Sequence, residues 1–471
     1  MSSYASRIVW RTFLPILAAI LCTNPKWAVA QSLEADQRRN RLSIYCDAMQ
    51  SWLTDVAGLS DEQENLIQQH LRARVEESQR VWQPKPRNRP LSDAGPIRFT
   101  MSKGAAKDVK LKVDDKELRS ILSTAQLDKL SKELRARKVA HANATIGHAV
   151  NVLDDELFLT NEQRRAVAEY YRKSTDSEFA AYSLFPSDRY YKQLSPIELL
   201  AKPDWPNILS TAQQQRATDF VEATKKSLSI NTEMQMSFEP AASVADWLEN
   251  LNKYGKEQHR RVQRALKVRA EYWSHEWHLP DDSAKKLLVA SKGVADQLVA
   301  TWKTKARAHL EQLELEPERV IATSMSMPVV NLRTVDDVEL WKHTLKSVKP
   351  KGETFEYDRI AEIRRTTSEY LTICFDRELW LTSTQRNRLQ QKIEKLLPPY
   401  QVHAPQNVAL DELALLVIPL FRLTQQDLEL LTENQQKAFD LLKSQFRVTN
   451  GVPYIHLKND HTRRFYLHTT P

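Results

Sequence analysis

Six copies of one short pattern run along this chain: leucine, then serine or threonine, then glutamine three residues further on. Ile121-Leu-Ser-Thr-Ala-Gln126 and Ile208-Leu-Ser-Thr-Ala-Gln213 are identical, and Leu59-Ser-Asp-Glu-Gln63, Leu159-Thr-Asn-Glu-Gln163, Leu381-Thr-Ser-Thr-Gln385 and Leu431-Thr-Glu-Asn-Gln435 are close variants. Their spacing is regular. Leu159 and Leu381, Leu209 and Leu431, and Val113 and Val335 each lie 222 residues apart, while Leu59 and Leu279, and Trp82 and Trp302, lie 220 apart. Self-similarity at a fixed period constrains architecture more than any local motif. The expectation is therefore a mainly α-helical tandem repeat of two similar halves of roughly 220 residues, within the usual range for domains.

Each half is expected to hold two sub-repeats. The first half spans 31–255, with sub-repeats near 40–140 and 141–255; the second spans 256–448, with sub-repeats near 256–355 and 356–448; residues 449–471 form a tail. The sub-repeats open at the helices before Leu59, Leu159, Leu279 and Leu381. The third is degenerate, with Leu279-Pro280-Asp281-Asp282-Ser283 in place of the block. Proline and acidic residues still suit a helix start.

The block has a physical explanation that needs no ligand. A Ser or Thr followed three residues later by Gln forms a capping box, in which the hydroxyl accepts from an N–H of the first turn and the Gln side chain reaches back to the cap N–H. Apolar residues downstream keep one helix face: Ile67 and Leu71, Val167 and Tyr171, Leu389 and Ile393. Upstream, Cys46, Met49 and Leu53 match Ile146, Ala149 and Leu153 at the same spacing. Each block therefore predicts a helix, a tight corner at the leucine, and a newly capped helix. Minor β-hairpins are expected at Ile97–Met101 with Val109–Val113, at Met325–Leu332, and in the tail around Asn459-Asp460, and Pro84–Pro96 reads as an extended connector.

These L-[ST]-x-x-Q blocks resemble the signature of the LTxxQ family of periplasmic proteins, of the Spy and CpxP type. The resemblance covers about ten residues per block. It implies an exported, helical, non-enzymatic protein that holds unfolded clients or senses envelope stress. Members of that family are short cradle-shaped dimers, whereas this chain carries its blocks in tandem.

The amino terminus points to the same compartment. Arg7 and Arg11 precede an apolar run from Phe13 to Cys22, and Ala28-Val29-Ala30 before Gln31 forms a small-x-small cleavage site, so residues 1–30 read as a signal peptide. The apolar run is shorter than the roughly 20 residues a membrane-spanning helix needs, and no later segment supplies them. The expected mature product is exported, periplasmic or extracellular, soluble, and without a transmembrane segment. Cys46 and Cys374 remain after cleavage. Both are expected to be buried small hydrophobes, with their pairing left open.

Composition excludes common chemistries. The chain has 8 glycines in 471 residues, far below the roughly 7% of an average protein, and no G-x-G arrangement. Dinucleotide fingerprints, Walker A loops and G-x-S-x-G elbows need glycine for close backbone approach or strained turns. His275-Glu276-Trp277-His278 is the nearest approach to a metal signature, but its histidines are three apart and it lacks the H-E-x-x-H form. They are read as structural, with a surface metal site left open because histidines three apart can ligate. Arg260, Arg264 and Lys267 share one helix face, opposite Val262 and Leu266, and are read as a solvated face rather than a polyanion site. Asp154-Asp155-Glu156 and Asp376 with Glu378 recur before the corners; because the pattern returns in another sub-repeat, it is read as structural. No catalytic, cofactor-binding or metal residue is assigned, and no nucleic-acid partner is expected. The leading expectation is a protein-binding or chaperone-like scaffold with a protein partner or unfolded client. An envelope enzyme and a binder of anionic polymer are the alternatives.

Overall fold

A computed structural model describes residues 25–81, 116–174, 208–219, 244–314, 330, 332–350, 359–397, 418–444, 446–449, 452–456 and 462–464. The first two expected hairpins, the Pro84–Pro96 connector and Trp82 lie wholly or mostly outside these residues. The fold is mainly helical. In chain order the helices are α1 (Pro25–Ala57), α2 (Asp61–Val81), α3 (Lys116–Ile121), α4 (Thr124–Leu157) and α5 (Asn161–Ser174), then a helical segment at 211–219. They are followed by α6 (Val244–Glu276), α7 (Asp281–Glu314), a 3-10 turn at Leu332–Asp337, α8 (Glu339–Val348), α9 (Arg359–Leu379), α10 (Ser383–Leu396), α11 (Gln425–Leu428) and α12 (Glu433–Lys443). Three short antiparallel strands follow, Phe446–Thr449, Val452–His456 and Thr462–Arg464, in the order β1-β2-β3. Among the described residues no helix is long and apolar enough to cross a membrane.

Among the described residues, buried apolar side chains form four larger clusters. In the first, Leu42, Met49, Trp52 and Leu53 of α1 meet Ile67 and Leu71 of α2. The second sets Ile146, Val150, Leu153 and Leu157 of α4 against Val167 and Tyr171 of α5. In the third, Val262 and Leu266 of α6, with Trp277 just past its end, pack against Leu287, Val294, Leu298 and Trp302 of α7. The fourth joins Leu371, Phe375 and Leu379 of α9 to Leu389 and Ile393 of α10 and Phe439 of α12. The three-and-four spacing within each helix makes one apolar stripe, and two such stripes facing across a corner exclude water from both. Cys46 and Cys374 are buried thiols in the first and fourth clusters. Burial, with Asp47 beside it, pushes the Cys46 thiol up to about 12, so it stays protonated.

The boundaries expected at 140/141 and 255/256 fall inside α4 and α6. The blocks mark where helices begin, and α4 and α6 run on through these positions, so nothing in the sequence marks a break there. Helix α1 also runs through the expected cleavage point after Ala30.

Candidate functional site: two buried aspartates at helix corners

Among the described residues, four corners share one backbone device. Gly58, Phe158, His278 and Trp380 have φ of 65°, 48°, 45° and 52°, each one residue before Leu59, Leu159, Leu279 or Leu381. The left-handed conformation reverses the chain in one residue and costs a non-glycine side chain roughly 1–2 kcal/mol. Gly58 carries no such cost. At Phe158 and Trp380 an aspartate offsets it. The N–H of Phe158 donates to the carbonyl of Asp154 (2.8 Å), and the N–H of Leu159 donates to Asp154 Oδ1 (2.7 Å). Asp376 does the same for Trp380 (2.9 Å) and Leu381 (2.7 Å).

The second oxygen of each carboxylate faces guanidinium groups. Asp154 Oδ2 lies 2.6 Å from Arg164 Nη1 and 2.8 Å from Arg359 Nε, while Arg359 Nη2 donates to the Asp154 carbonyl at 2.9 Å. Asp376 Oδ2 lies 2.9 Å from Arg137 Nε, 2.6 Å from His141 Nε2 and 3.5 Å from Arg386 Nη1, and Arg137 Nη2 donates to the Asp376 carbonyl at 2.7 Å. Both carboxylates are fully buried. The arginines also cover the corner rings, Arg137 at 3.9 Å from the Trp380 centroid and Arg359 at 4.4 Å from that of Phe158.

Burial alone would raise the Asp376 pKa. The charge of Arg137 and the hydrogen bond from His141 outweigh it, and the carboxyl is held well below the usual range. His141 moves the other way: burial outweighs its bond to Asp376 and lowers its pKa to about 4, so the ring is neutral at pH 7. A permanently ionised carboxylate with every oxygen engaged is not poised to accept or donate a proton near neutrality.

The blocks are capping boxes, as the sequence predicts. At Ser123, Thr382 and Thr432 both halves of the box are present. The same exchanges are made by Ser60 with Gln63, Thr160 with Gln163, and Ser210 with Gln213. What the sequence does not reveal is that the glutamines also pair with each other. Gln63 pairs with Gln126, Gln163 with Gln213, and Gln385 with Gln435, each amide nitrogen donating to the other's Oε1 at 2.8–3.2 Å. Each nitrogen also donates to a carbonyl at the partner's corner: Ile121 and Gly58, Ile208 and Phe158, Leu430 and Trp380. Every amide hydrogen and both acceptor positions of each oxygen are thus used. Gln435 is fully buried, and such satisfaction is what makes its burial tolerable.

Among the described residues no group of three or more metal-ligating side chains converges. His275 and His278 are both exposed, with ring centroids 6.3 Å apart, and His275 Nδ1 sits 3.7 Å from Glu276. On the basic face Arg260 is exposed, Arg264 pairs with Asp219, and Lys267 lies 3.9 Å from Glu271; Val262 and Leu266 are buried on the opposite side. The site residues that sequence reasoning missed are Arg137, His141, Arg164, Arg359 and Arg386. A signal was present in the arginines, since Arg137 and Arg359, and likewise Arg164 and Arg386, lie 222 residues apart, like Asp154 and Asp376. No protein-family model, no curated protein and no solved structure matches this chain.

Proposed function

We propose that this protein is an exported helical-repeat scaffold of the cell envelope that binds proteins in a chaperone-like way. Its two halves of about 220 residues would each contain two sub-repeats, a period read from the blocks. The observation that carries the reading is the complete engagement of Asp154 and Asp376 by corner N–H groups and arginines. These two buried charged clusters hold corners in place, which supports a scaffold over an enzyme. Support for a client-facing surface comes from Val289, which is 68% exposed, and Leu340, 38% exposed. Gly293, one turn beyond Val289 on α7, abuts the Leu340 side chain, so both lie along one stretch of α7.

The test is suppression of aggregation. The chain from Gln31 onward is mixed with a chemically denatured client, and light scattering is followed on dilution. Suppression at near-stoichiometric ratios, reduced by Val289→Asp with Leu340→Asp while the circular dichroism of the scaffold is unchanged, is the expected result. Scattering identical with and without the protein would refute the chaperone reading.

A further inference from the structure

Stacked repeats are related by translation, so a contact between positions i and j recurs between positions shifted the same way along the chain. The contacts between the two halves here follow a different rule. Arg137 binds Asp376, and Arg359 binds Asp154; both residues of the second pair lie 222 positions from their counterparts, but in opposite directions. Arg137 covers Trp380 and Arg359 covers Phe158 by the same exchange. Trp52 meets Trp380 at 5.2 Å, and Tyr272 meets Phe158 at 5.9 Å. Ser51 of α1 and Glu271 of α6, 220 positions apart, accept from neighbouring positions of equivalent helix starts: Asn434 donates to Ser51, and Ser210, the counterpart of Thr432, donates to Glu271. His148 stacks on Tyr370 with centroids 3.8 Å apart, and these two residues are each other's 222-residue counterparts. A contact that maps onto itself lies on a twofold axis.

We propose that the chain is a fused twofold dimer: each half recognises the other as one protomer recognises its identical partner, and supplies the arginine that completes the partner's corner. The surface of α4 and α9 is then an isologous interface whose occupant is an equivalent half. Each half carries both the arginine and the aspartate, as a self-complementary surface requires. The order of packed units in space becomes first, fourth, second, third, rather than the order in sequence. This rests on the duplication and not on client binding, so a failure to hold clients leaves it standing.

The test uses the full chain with a specific protease site placed between residues 225 and 240, cleaved after folding. Light scattering is expected to find both fragments in one particle of the uncleaved mass. Arg137→Met and Arg359→Met, checked for native circular dichroism before cleavage, should each weaken fragment association at least tenfold and by similar factors. Should either fail to fold, Arg137→Lys and Arg359→Lys keep the charge and lose the two-pronged contact, and the same equality is expected of them. Fragments that separate or precipitate on cleavage would overturn the proposal, as would a pair of variants of which only one loosens the particle.

Discussion

Replacing Asp376 by asparagine should be among the most damaging isosteric changes available in this protein. The side chain is fully buried, with Arg137 at 2.9 Å and Arg386 at 3.5 Å. Asparagine keeps the shape, and its oxygen still accepts from the Leu381 N–H, but the negative charge facing two guanidinium groups is gone. Arg386 retains Glu133 at 2.9 Å, so the stranded cation is Arg137. Breaking a buried ion pair from one side costs about 3–5 kcal/mol. Arg137 keeps its bond to the Asp376 carbonyl and its contact with Trp380, which places the expected loss near the low end, about 3 kcal/mol. Urea unfolding followed by circular dichroism measures it. Combining Asp376→Asn with Arg137→Met removes both charges, and the double variant should lose less than the sum of the singles by about 2 kcal/mol, since contacting residues couple by 0.5–3 kcal/mol. A loss below about 1 kcal/mol for Asp376→Asn, the range of an exposed pair, would refute the assignment of a buried lock.

Three further outcomes are expected. Thr160→Ala or Thr382→Ala removes an N-cap hydroxyl and should lower stability by about 0.5–2 kcal/mol in calorimetry; an unchanged melting curve would mean that the boxes are incidental. His141 has a folded pKa of about 4 against an ordinary 6.5, so the unfolded chain binds the extra proton between those values, and its contribution to stability is present above pH 6.5 and is lost as pH falls toward 4. Asp376 follows the same sign lower down, its contribution being lost only below 3.8. Denaturation midpoints against pH, compared with those of His141→Gln, should show the upper limb flattened in the variant. Replacing Arg260, Arg264 and Lys267 together with Gln should leave binding to an anionic polymer unchanged at physiological salt, whereas salt-dependent binding abolished by the triple change would favour the polyanion alternative.

The sequence alone determined the local grammar of this protein. Ser or Thr with Gln three residues later specifies a capped helix start because donor and acceptor sit within one turn, and the leucine before it marks the corner. The apolar spacing of Ile67 with Leu71, or Leu389 with Ile393, fixed which face is buried, and all four side chains are in the core. These interactions are short-range, so spacing encodes them completely. Tertiary structure decided which corners meet. That Gln385 reaches Gln435, that Arg137 crosses 239 positions to Asp376, and that His148 rests on Tyr370 depend on chain reversals whose sum no local pattern specifies. The corner residues show the division most clearly. Gly58 adopts the same backbone conformation as the aromatic residues Phe158, His278 and Trp380, because that conformation is imposed by the bonds and packing around each corner rather than by the residue that adopts it.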